Sequence, residues 1–168
     1  MKLHPRIAAT ALGAATLALS LLSPAAPAGA EVTFESMAYE VVELTNLERD
    51  RAGLPSLEWN ETLAIEASWH AQDMAVRDYF GHYSPEGTSP SERARLAGYP
   101  GFDWGPFVGE NIAKGLPTSE GVVQSWLNSE GHRQNLLLPD YREIGVGLSV
   151  APDGSVVWVQ NLGARPAE

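Results

Sequence analysis

The chain has 168 residues, 44% of them hydrophobic and 19% charged, with a formal net charge of −10 and no cysteine. Without a thiol, thiolate catalysis, disulfide staples and cysteine-ligated zinc are all excluded. The acidity also argues against a nucleic-acid partner, because phosphate backbones would be repelled.

Lys2 and Arg6 precede an uncharged Ala/Leu-rich run from Ile7 to Leu22, which gives way to Ser23-Pro24 and the small residues Ala28-Gly29-Ala30. That layout predicts a secretory signal peptide over residues 1–30, cleaved after Ala30. An uncleaved N-terminal anchor is the alternative. No later segment reaches the length of a membrane span, so the expected mature protein is soluble, secreted and extracellular. Residues 1–30 hold two basic residues and no acidic one, so nine basic residues face 21 acidic ones in the remainder, a net of −12. Residues 31–168 suffice for a single domain with its own core, and a monomer is expected.

Met37, Val41, Leu44 and Thr45 follow helical spacing and predict a first helix over about residues 34–51, stopped by Gly53 and Pro55. Asn60 reads as the N-cap of a second helix that runs to about Asp78. Its core stripe, Leu63, Ala64, Ala67, Ala71, Met74 and Ala75, is rich in small residues and predicts a close neighbour. A loop carrying His82 follows. Ser89-Pro90-Ser91-Glu92 has the pattern of a capping box with proline at the first helical position, so a third helix is expected over about residues 90–97.

Residues 99–109, rich in glycine, proline and aromatic side chains, predict an ordered loop. Next, Val108, Glu110 and Ile112 alternate as in a strand. Thr118 or Ser119 caps a fourth helix that is expected to run to about Ser129, with Gly131 just beyond its end. From Ile144 the period becomes two: Ile144, Val146, Leu148 and Val150 alternate, Pro152-Asp153-Gly154 turns, and Val156, Trp158 and Gln160 alternate again. Helices followed by a hairpin, with the Glu110 segment as a further strand, predict an α+β sandwich.

Two carboxylates fall where this pattern predicts core. Glu110 shares a strand face with Val108 and Ile112, and Glu130 falls at i+7 from Val123 and i+4 from Trp126 on the fourth helix. A buried carboxylate needs a partner. The rare histidines His82 and His132 are the best candidates, so two Glu and two His are expected to converge. Each also has a plainer reading. His132 beside a helix end would favour the helix dipole, His82 would bond backbone, and Glu130 would face solvent from a frayed last turn. His70, between Trp69 and Ala71, is expected to be structural or solvent-facing rather than a ligand.

The motifs Asn46-Leu47-Glu48-Arg49, Gly53-Leu54-Pro55-Ser56-Leu57, Ala71-Gln72-Asp73-Met74-Ala75, His82-Tyr83-Ser84-Pro85 and Gly109-Glu110-Asn111-Ile112 occur in order. They continue through Trp126-Leu127-Asn128-Ser129, Gly131-His132-Arg133-Gln134-Asn135 and Ile144-Gly145-Val146-Gly147. In this order and spacing the chain resembles the CAP superfamily of cysteine-rich secretory proteins, antigen 5 and pathogenesis-related 1 proteins, in its short bacterial form. The resemblance implies an α-β-α sandwich with a central antiparallel sheet and a groove. It also implies a groove tetrad of two His and two Glu that holds zinc or another divalent cation. His82, Glu110 and Glu130 match three of the four positions. His132 takes the fourth through the bacterial Gly-His-Arg motif, because the stretch Val157-Trp158-Val159-Gln160 lacks the histidine that larger relatives carry on a strand.

Two neutral imidazoles suit Zn²⁺, at about 2.0–2.1 Å from metal to nitrogen. The carboxylates would serve as ligands, or would stand behind the imidazoles and orient them. With two clear nitrogen donors, weak and exchangeable binding is expected. Three functions follow from the resemblance: a non-catalytic module binding lipid or sterol, cell-wall material or protein; a metal-dependent hydrolase using Glu110 or Glu130; and a purely structural domain. A missing His-Glu-x-x-His motif speaks against the hydrolase. Tyr83, Tyr99, Phe102, Trp104 and Phe107 flank the site in sequence, either as core or as an apolar wall.

Overall fold

A computed structural model of the chain describes residues 32–100 and 107–164, and four of the five helices among these residues begin at a side chain that caps them. Thr33 and Ser36 close a capping box at the start of α1, Phe34–Arg51, and Gly53 follows its end with φ +71°. Asn60 Oδ1 accepts from Leu63 N at 3.1 Å to start α2, Glu61–Arg77, and Ser89 caps α3, Pro90–Leu96. At α3 only half of the expected box forms, because the Glu92 carboxylate turns to Arg95 at 2.6 Å. Strands β1 (Glu58–Trp59), β2 (Phe107–Lys114), β3 (Glu143–Val150) and β4 (Val156–Ala164) form one sheet in the order β1-β3-β4-β2. The sheet is antiparallel apart from β1, a two-residue parallel edge that periodicity had no means of showing. The predicted signal peptide and the loop residues Phe102 and Trp104 lie outside the described residues.

Two expected boundaries are corrected: the loop expected over residues 99–109 gives way to β2 at Phe107, and the fourth helix is shorter. The fourth helix does not run to Ser129. Instead α4 spans Ser119–Leu127 and a separate α5 spans Glu130–Leu136. Asn128 ends the first, and Ser129 has extended backbone with φ −104° and ψ 124°, which interrupts the helical path. Glu130 therefore opens a new helix and leaves the face that carries Val123 and Trp126.

Alternation along the strands sorts side chains to two layers. On one face Ile144, Val146, Leu148, Trp158 and Leu162 meet α1, α4 and α5 through Val41, Val122, Trp126 and Leu136. On the other, Ile112, Val157 and Val159 meet Ala67, Ala71 and Met74 of α2. The small-residue stripe of α2 does lie against a close neighbour. A Cβ on Gly145 would come within 2.2 Å of Ala64 N, and one on Gly147 within 2.2 Å of Ser68 N. Helix and strand backbones thus approach as only glycine allows.

Two motif residues fasten the α1 side. Asn46 mimics a paired strand, donating to Leu57 O at 3.0 Å and accepting from Leu57 N at 2.8 Å. Arg49, fully buried, donates to the carbonyls of Pro55, Leu136, Leu138 and Tyr141. It thereby fixes where α5 ends and β3 begins. At the sheet's β2 edge, side chains occupy backbone groups that a further strand would otherwise use. Asn135 Nδ2 donates to Glu110 O at 3.1 Å, and Trp126 Nε1 donates to Ile112 O at 3.2 Å. Ser91 Oγ lies 3.4 and 3.5 Å from the amide and carbonyl of Val108.

Candidate functional site

Glu110 lies on the α2 face of β2, as its alternation with Val108 and Ile112 requires, and it is 5% exposed. Burying a carboxylate there is tolerable because both oxygens are engaged. Oε1 accepts from His82 Nδ1 at 2.8 Å, and Oε2 accepts from Arg93 Nη2 at 2.5 Å. The predicted His82–Glu110 pair therefore forms. Its carboxylate selects the tautomer with hydrogen on Nδ1, leaving Nε2 as the acceptor of a ring that is 44% exposed.

Arg93, missed in the sequence, organises the site. Its Nε donates to Glu66 Oε1 at 2.5 Å, and Nη1 donates to the carbonyls of His82 at 2.7 Å and Thr88 at 3.2 Å. One guanidinium joins α2, β2 and the His82 loop. Burial holds the Glu66 carboxyl above the usual range, against the pull of Arg93 and with help from the charge of Glu110. Asn161 Nδ2 also donates to Glu66 Oε2.

His70 is structural, as expected, and buried. Its Nε2 donates to Gly81 O at 3.0 Å and lies 4.0 Å from Glu110 Oε2. Burial pushes its pKa down more strongly than Glu110 pulls it up, which favours the neutral ring. Glu66 and His70 could have been noticed by the same logic that picked out Glu110. They fall at i and i+4 within the apolar stripe of α2.

His132, half-buried on α5, is positioned through backbone. Its carbonyl accepts from Asn111 Nδ2 at 3.2 Å, and Asn135 Nδ2 reaches Asn111 Oδ1 at 3.1 Å. Asn111 also donates to Gln160 Oε1 at 3.0 Å, and Gln160 to Thr45 Oγ1 at 3.1 Å. This amide relay anchors α5 to β2, β4 and α1. Burial lowers the pKa of His132, and the charge of His82 lowers it further. Glu130 takes no part in these contacts. It is exposed at the first turn of α5, where Oε1 accepts from Gln134 Nε2 at 3.3 Å. Of the flanking aromatics, Tyr99 is buried and donates to Glu143 Oε2 at 2.6 Å, Phe107 stacks on Tyr141, and Tyr83 is exposed.

The donor set does not fit a four-residue metal centre. Both Glu110 oxygens already accept hydrogen bonds, Glu130 is turned to solvent, and the cationic Arg93 sits against the Glu110 carboxylate. Among the described residues no group of three or more His, Cys, Asp or Glu is arranged to hold a metal ion. What the site offers is a half-exposed imidazole, a second imidazole of lowered basicity and a hydrogen-bonded polar floor.

The family model described as the cysteine-rich secretory protein family, CAP, matches residues 42–162. The uncharacterized protein YkwD of Bacillus subtilis is 46% identical over 127 residues, which make up 74% of this chain and 47% of that protein. Among solved structures, an extracellular protein containing a SCP domain from Bacillus anthracis matches with a TM-score of 0.67 and 33% identity. That match covers 80% of this chain and 44% of the other. An outer surface protein from Borrelia burgdorferi shares the fold, with a TM-score of 0.70 at 24% identity over 80% of this chain and 97% of its own. The chain thus spans less than half the length of YkwD and of the Bacillus anthracis protein.

Proposed function

The chain belongs to the cysteine-rich secretory protein (CAP) family, and on that premise we propose that it is an exported, non-catalytic binding module whose groove presents His82 and His132 over a floor made by Glu110 and Arg93. The burial of Glu110 carries this reading. A general base must reach a substrate proton, and the Glu110 side chain is only 1% exposed, with one oxygen held by His82 and the other by Arg93. Glu130, the other base a hydrolase would call upon, is exposed and bonded to Gln134. The site can accept or donate hydrogen bonds without an activated nucleophile.

Export is supported by the leader-like residues 1–30 and by relatives described as extracellular or outer-surface proteins. No described helix is long and apolar enough to cross a membrane. Lipid or sterol, cell-wall material and protein are the ligand classes to try, in pull-downs with wild type and His82→Ala. Retention of one class by wild type and its loss in the variant would bear the proposal out. Substrate turnover that disappears in Glu110→Gln with the fold intact would replace it with the hydrolase.

A further inference from the structure

The sheet edge opposite β2 carries a second recess. Between the first turns of α1 and α2, over β1 and residues 146–148 of β3, lies a cleft of about 430 Å³. That volume is within the range of small-molecule sites. Four aromatic side chains line it: Phe34 and Tyr39 from α1, Trp59 from β1 and Trp69 from α2. Three of them are unusually open for their size, with Trp69 62%, Phe34 51% and Tyr39 42% exposed. A concentration of exposed aromatic surface in one concave place marks a binding site more often than a solvated surface.

The polar groups decide the kind of ligand. Glu35 and Glu61 are the charged residues in the lining, and no basic residue is among them. An anion would be repelled, and a neutral apolar ligand would strip water from two carboxylates without replacing it. A cation satisfies both components, since carboxylates and aromatic faces each attract positive charge.

The aromatic wall is also held in position for that role. The rings of Tyr39 and Trp59 lie with centroids 4.6 Å apart, and Trp59 Nε1 donates to Glu61 Oε2 at 3.0 Å. A hydrogen bond from the indole to a carboxylate pushes electron density into the ring and strengthens its negative face. Gly147 at the floor brings α2 down onto β3 and so sets the depth of the recess.

We propose that this cleft binds a small organic cation, with an alkylated ammonium group seated against Tyr39, Trp59 and Trp69 and facing Glu35 and Glu61. The site is separate from the His82 groove, which is built on the other edge of the sheet.

Choline, 3,3-dimethylbutan-1-ol (the same shape without the charge) and an N-acetylglucosamine oligomer are titrated into the purified protein. Binding is followed by calorimetry and by the indole N–H signals of Trp59 and Trp69. Choline should give saturable shifts of both signals, and the neutral analogue should bind at least about fivefold more weakly. Glu61→Gln and Trp69→Ala should each weaken choline by about fivefold while His82→Ala leaves it unchanged. Glu61 and Trp69 are both exposed, so the circular dichroism of these two variants should match wild type. Equal binding of choline and its neutral analogue, no saturable shift, or a stronger response to the saccharide would each overturn the proposal.

Discussion

Glu66 and Glu110, on different layers of the sandwich, are joined by one guanidinium: Arg93 Nε lies 2.5 Å from an oxygen of the first and Nη2 2.5 Å from an oxygen of the second. Removing Arg93 would leave two buried carboxylates sharing a low-dielectric space. Arg93→Ala should therefore destabilise the fold by about 3–5 kcal/mol, the range for a broken buried ion pair. Urea denaturation measures this, and a loss below about 1 kcal/mol would show that the network is dispensable.

Glu66 responds to pH in the opposite sense from the histidines. Its folded-state pKa is raised, so its contribution is complete below the unfolded value near 4.5 and is lost as pH rises through the folded one. Glu66→Gln should remove that loss, so its melting temperature relative to wild type should rise as pH increases from about 5 to 8. A variant profile parallel to wild type across that window would contradict it.

His70 and His132 both have lowered pKa values, chiefly through burial. Folding favours their neutral forms, so their contribution is complete above about pH 6.5 and is lost as pH falls through the folded-state values. As pH is lowered from about 7 to 5, the melting temperature of wild type should fall relative to that of His70→Gln. If His70→Gln is as acid-sensitive as wild type, the burial argument fails.

Zinc should bind weakly, because among the described residues the site offers two imidazoles and no third ligand. In calorimetric titrations His82→Ala should lose affinity by at least about tenfold, while Glu130→Ala should match wild type. A large effect of Glu130→Ala would restore the four-residue centre that the position of α5 argues against.

Gly147 gives a test of the close helix–strand contact. Gly147→Ala would place a methyl 2.2 Å from Ser68 N, a backbone atom that cannot swing aside. The expected cost is about 1–3 kcal/mol or more, read as a lower urea midpoint with an unchanged slope.

Local signals carried most of the fold. Asn60, Ser89 and Thr118 are side chains whose capping role is written in three or four adjacent residues, and the alternation from Ile144 needs no partner to be seen. Glu110 was legible because a charge in an apolar pattern stands out, and His82 because it is one of the few histidines that could pair with it. Arg93 was not, because arginine on a short exposed-looking helix is ordinary, and its meaning depends on Glu66, 27 residues earlier, and Glu110, 17 residues later. The break at Ser129 was hidden for a similar reason. The helical spacing of Val123, Trp126 and Glu130 continues across it, while the turn itself is fixed by the amide relay from Asn111 and by Arg49 holding the far end of α5. Non-local polar contacts of this kind leave no period in a sequence.

The occupied backbone groups of β2 bear on how this domain can meet other molecules. With Ser91, Asn135 and Trp126 standing where a neighbouring chain would dock its amides and carbonyls, strand addition along this border is blocked for peptides and for other copies alike. On the opposite border β1 pairs with only Glu143 and Ile144, and the rest of β3 has no strand neighbour on that side. The same guard protects a disulfide-free fold against edge-to-edge aggregation along β2.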